Sequence, residues 1–193
     1  MSLLVVGLIL FLGVHSVSIL APAWRDAQVE RRGERVWKGA YALVSLAGLV
    51  LLIHGYGVAR QAPVVLYTPP PALQHVALLL MLPVFPLLFA AYLPGRIQRA
   101  ARNPMLLAVA LWAMAHLLAN GTLADVLLFG AFLVWAVADW ISVKGRAVPR
   151  SVPGAPPGAL NDIAALAGGL VVYVGFLFWA HIWLTGVSPV VWQ

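Results

Sequence analysis

The chain contains no cysteine. Disulfides, iron–sulfur clusters, thiolate zinc sites and covalent attachment of a c-type haem are therefore excluded. Charge is nearly as scarce. Only 9% of the 193 residues are Asp, Glu, Lys or Arg, where a soluble domain carries roughly 25%. Acids are the rarest, at six against twelve Lys and Arg. A proton path through a bilayer would need more of them in the interior. No phosphate-binding loop, dinucleotide fingerprint, zinc-protease helix or serine-hydrolase elbow occurs.

What fills the chain instead is apolar. Hydrophobic residues make up 63% of it, in continuous runs that do not alternate with period two, which argues against a barrel. A hydrocarbon core needs roughly 20 apolar residues per helical crossing. The runs predict an all-α, polytopic membrane bundle of about six transmembrane helices, with the lipid bilayer as solvent. They fall at 2–21, 39–58, 72–93, 104–120, 123–142 and 161–185. The first run begins at Met1 with no basic stretch before it, so it is expected as a retained helix.

The sequence pI is near 10.3, but the basic residues have a simpler explanation than nucleic acid. Arg25, Arg31, Arg32, Arg35 and Lys38 lie between the first two helices. Arg96, Arg99 and Arg102 lie between the third and fourth, and Lys144, Arg146 and Arg150 between the fifth and sixth. Arg60 alone falls on the other side, so eleven of the twelve share one face. Lys and Arg stay on the cytoplasmic side of membranes. The expectation is a multi-pass inner-membrane protein with both termini periplasmic and no nucleic-acid partner.

Local signals mark the helix ends. Asn103-Pro104 reads as a cap followed by proline at the first helical position. Thr122 and Asp125 have capping-box spacing, and Asn161-Asp162 are expected to cap the last helix. Pro83 and Pro86 should kink or open the third helix. Residues 147–158 read as a flexible linker. Trp24, Trp37, Tyr67, Tyr92, Trp140, Trp183 and Trp192 suit interfacial belts.

Ionisable groups inside a bilayer are costly and invite a functional reading. His15 and His116 lie well inside the first and fourth helices, whereas His54, His75 and His181 fall toward outer ends and read as interfacial. Neutral imidazole is a good ligand for iron, copper and zinc, and two from different helices can clamp a haem b. Trp112 and Asn120 share the face of His116, with Ala113 and Ala119 leaving room for a ring. Phe11, Leu12, Ser18 and Ile19 share the face of His15. Helical rise sets the two imidazoles about 9 Å apart in depth, which counts against their meeting. A buried histidine also serves as a plain hydrogen-bonding contact between helices. The residues leave both readings open.

The stretch Phe11-Leu12-Gly13-Val14-His15-Ser16 resembles the opening of the NnrU family. Arg102-Asn103-Pro104-Met105, with Leu111 through Gly121 and Leu127-Leu128-Phe129-Gly130, resembles that family's central signature. Asn103 stands where the family often has histidine, and Thr122 where it often has an acid. The resemblance implies a single NnrU-like transmembrane domain over residues 1–193. It also implies similarity to plant 15-cis-zeta-carotene isomerase, a membrane haem b enzyme, whose motif histidines match His15 and His116. For the site, the resemblance implies haem b between these two as metal ligands; Trp112 and Asn120, which share the face of His116, are then expected against the cofactor.

Three functions then compete. One is a non-enzymatic haem protein linked to denitrification, which senses nitric oxide or assists maturation of a respiratory complex. Another is a haem-dependent cis–trans isomerase acting on a carotenoid-like polyene. The third is a cofactor-free membrane scaffold. An isoprenylcysteine-type methyltransferase fits less well, because Asn103 replaces the histidine of its Arg-His-Pro element.

Overall fold

The computed structural model describes residues 1–145 and 154–190. Arg146, Arg150, Trp192 and the 147–153 part of the expected linker lie outside the described residues. In chain order the helices are α1 (Ser2–Leu20), α2 (Pro22–Arg32), α3 (Glu34–Ala59), α4 (Ala72–Met81), α5 (Val84–Tyr92) and α6 (Arg96–Ala101). They continue with α7 (Pro104–Ala119), α8 (Leu123–Lys144), α9 (Asn161–Gly175), a π-helical turn at Phe176–Ala180, and α10 (His181–Thr185). Among the described residues five stretches are long and apolar enough to cross a membrane: α1, α3, α4 with α5, α8, and α9 through α10. The sixth apolar helix, α7, has 16 residues and reaches only about 24 Å. Large apolar side chains face outward, among them Leu43 (71% exposed), Val134 (70%) and Trp183 (83%). That distribution is costly in water and favourable in lipid.

The chain divides into two compact units. The first comprises Met1–Thr68 and Gly121–Gly145. Here α1 and α3 run antiparallel in close contact. Gly48 approaches the backbone of Phe11, Gly7 that of Leu52, and Gly55 that of Leu4; a Cβ at any of the three would collide. Small residues permit this approach, which dispersion then rewards where lipid offers no hydrophobic drive. Between them lies α2, missing from the sequence reading because it carries charge rather than a long apolar run. Trp24 of this helix meets Trp37 of α3 edge-on at 5.7 Å. Farther along, 64–67 runs beside the start of α8. Gly121 O accepts from Leu66 N (2.8 Å) and Tyr67 N (3.1 Å), and a side chain on Gly121 would strike the Tyr67 carbonyl.

The expected capping box is present. Asp125 N donates to Thr122 Oγ1 (3.3 Å), and Thr122 N donates to Asp125 Oδ2 (2.9 Å).

The second unit comprises Pro69–Asn120 and Arg146–Gln193. The third predicted helix is broken, as its prolines required: α4 ends at Met81 and α5 begins after Pro83. Tyr173 of α9 donates its hydroxyl to the Leu78 carbonyl (3.1 Å) just before the break, the kind of side-chain compensation that lets membrane helices tolerate proline. Gly169 packs on Pro86 and Gly168 on Phe89. Asn103 caps α7 as expected, its Oδ1 accepting from Leu106 N (3.3 Å). The expected capping of α9 by Asn161 and Asp162 is corrected. Leu160 holds the cap position without a side-chain bond. Asp162 instead caps α6, accepting from Arg96 N and Ile97 N at 2.9 Å each, while Asn161 Nδ2 donates to the carbonyls of Pro94 (2.8 Å) and Pro156 (3.0 Å).

Candidate functional site

His15 lies one helical turn beyond the Phe11–Gly48 contact. Its Nδ1 lies 2.6 Å from the Phe11 carbonyl. A carbonyl only accepts, so Nδ1 carries the proton and, in the neutral ring, Nε2 carries the lone pair. Aromatic rings surround it: Phe11 stacks at 4.3 Å, Tyr41 lies at 5.1 Å and Trp135 meets it edge-on at 5.9 Å. Trp135 Nε1 is buried with no hydrogen-bond partner among the described residues. A buried orphan donor is uncommon and marks a place where an acceptor is wanted.

His116 belongs to the second unit. The same device fixes it, with Nδ1 2.8 Å from the Trp112 carbonyl, and the Trp112 ring tilts over it at 5.2 Å. Asn120 ends α7 and donates Nδ2 to the His116 carbonyl at 2.9 Å. Its side chain also lines a cavity of about 150 Å³ that His116 borders. The cavity walls are mostly apolar, with Met81, Phe85 and Phe176 among them.

His181 lines that same cavity, although the sequence placed it at an interface. Its ring centre is 6.4 Å from that of His116, with the planes 29° apart. The π-helical turn before it adds a residue to the helix and re-aims the side chains beyond, a frequent device at functional sites. Gly186, at φ 73°, then turns the chain back, and the Val187 carbonyl meets His181 Nδ1 at 2.7 Å. Neither irregularity has a signal in hydropathy. By contrast, His54 and His75 are exposed.

Of the residues predicted from sequence, the second unit brings together His116, Trp112 and Asn120. His15 lies in the first unit with its own aromatic surround. Among the described residues no three His, Cys, Asp or Glu side chains gather as a metal cluster. The family model described as NnrU protein matches residues 3–189, nearly the whole chain. No curated protein and no solved structure matches it.

Proposed function

The chain belongs to the NnrU family, and from that premise we propose that it is a membrane haem b protein in which His15 and His116 would hold the iron. One observation carries the reading. Both imidazoles give Nδ1–H to a backbone carbonyl one turn back, which leaves Nε2 as the electron-pair donor. That is the oriented, neutral form in which histidine ligates iron. A porphyrin supplies four of the metal's ligands itself, so two imidazoles suffice where a bare divalent ion asks for a larger protein set. The residues fit such a group: aromatic rings flank His15, and Trp135 Nε1 awaits an acceptor beside it. Trp112 and Asn120 hold His116 in register through its Nδ1 and its carbonyl.

When bound, ferrous haem would take nitric oxide in exchange for one of the two imidazoles, chemistry that suits a sensor or a maturation factor for a respiratory complex in denitrification. We place the chain in the bacterial inner membrane with both termini periplasmic, on the strength of eleven basic residues against one. Adding nitric oxide to the reduced, purified protein should shift its visible spectrum. An unchanged spectrum would remove the nitric oxide role. The helix break at Pro83 favours a second reading, in which a long polyene enters laterally and undergoes cis–trans isomerisation. Product from a 15-cis polyene in a heterologous host would select it; haem-loaded protein that yields none would eliminate it.

A further inference from the structure

We propose that, in the haem-free chain, His116 and His181 form a binding site for a single Cu⁺ ion, with the Met81 thioether as a third ligand. Three observations converge on the cavity of the second unit. The first is spacing. A metal held between two imidazole nitrogens at about 2.0 Å each sets the ring centres roughly 6 Å apart when the three are in line, and closer when bent. The observed 6.4 Å needs only a small inward shift.

The second observation is protonation. Nδ1 of His116 faces the Trp112 carbonyl and Nδ1 of His181 faces the Val187 carbonyl. Both rings therefore hold their lone pair on Nε2. A ligand that needs an N–H from these rings finds none. An electron-pair acceptor, such as a metal ion, is what this state takes.

The third is the lining. The cavity measures about 150 Å³, ample for a single ion. Met81 lines it with the two histidines, and no carboxylate among the described residues does. Two imidazoles and a thioether form a soft set without charge. Such a set selects Cu⁺ over Zn²⁺, Mg²⁺ or Ca²⁺, and a monovalent ion is the least costly to place among apolar walls. The π-helical turn at Phe176–Ala180 and the reversal at Gly186 are the backbone features that present His181 to this space. Copper and haem share His116, so one excludes the other there. A site of this kind suits the maturation reading, with a copper ion as the cargo held for a respiratory complex.

The test is a titration of haem-free, detergent-solubilised full chain with Cu⁺ under reducing conditions against a chromophoric chelator. It is paired with X-ray absorption at the copper edge and with a visible spectrum of the same preparation after haem is supplied. One equivalent should bind, with two nitrogen neighbours and one sulfur. His181→Ala and His181→Gln should each weaken binding by at least about tenfold, and Met81→Leu should abolish the sulfur signal. His54→Ala, at an exposed position, serves as the control. Failure of the haem-free wild type to bind one equivalent, an edge spectrum without nitrogen and sulfur neighbours, or equal affinity in the His181 variants overturns the proposal. Copper binding without any haem spectrum would sink the haem reading and leave this one standing; a haem spectrum without copper binding would do the reverse.

Discussion

Asp125 is the one charged side chain buried among the described residues, at 4% exposure. Three donors satisfy it: the Tyr56 hydroxyl at 2.5 Å, the Thr122 hydroxyl at 2.6 Å and Thr122 N at 2.9 Å. The two Thr122 contacts were legible in the chain, because a capping box has a fixed spacing. The Tyr56 contact was not, since 69 positions separate the partners and nothing local couples them. Asp125→Ala would leave the Tyr56 and Thr122 donors without their acceptor in a dry setting, a loss of about 1–3 kcal/mol. A lowered melting temperature in detergent checks this; Asp125→Asn, which keeps an acceptor oxygen, should fall less. His181 gives the opposite lesson. Its position near a helix end suggested an interface. Its pairing with His116 depends on a π-helical turn and a left-handed glycine, neither of which hydropathy records.

At the scale of elements, helix existence and most boundaries follow from apolar run length, and the Pro83 break follows from the missing N–H. What charge concealed was α2, an 11-residue helix inside what looked like a basic loop. What distance concealed was the docking of α1 on α3. Gly48 and Gly55 of α3 sit against the backbone of Phe11 and Leu4 of α1, while Gly13 and Gly57 have open space around them. Alanine gains about 1 kcal/mol of helix propensity over glycine, so Gly13→Ala should hold or raise the melting temperature. Gly55→Ala should lower it despite that gain, because its Cβ has nowhere to go. Similarly, α6 depends on Asp162, a residue 65 positions away. Hydrogen exchange at Arg96 and Ile97 should speed up in Asp162→Ala, while exchange within α7 stays as it was. Equal exchange in variant and wild type would show that the Asp162 carboxylate does not hold α6.

For the whole molecule, the fold class was readable because lipid imposes one rule on every element: satisfy the backbone internally and face apolar side chains outward. The proposed orientation rests on the basic residues, and the absence of cysteine makes it easy to check. In intact cells an impermeant thiol reagent should label Gln61→Cys and spare Ala100→Cys; the reverse pattern would invert the topology. The site was legible only in part. Composition identified the histidines worth attention, and the structure adds the backbone carbonyl that Nδ1 of His15, His116 and His181 each faces, but hydropathy gives no azimuth by which one helix face finds another. The central claim, haem ligation by His15 and His116, is tested most directly by the visible spectrum of the protein purified in mild detergent with haem supplied. Ligation by this pair predicts a Soret band in the wild type that is lost in both His15→Ala and His116→Ala. A wild type with no band, or a band unchanged in both variants, would contradict it.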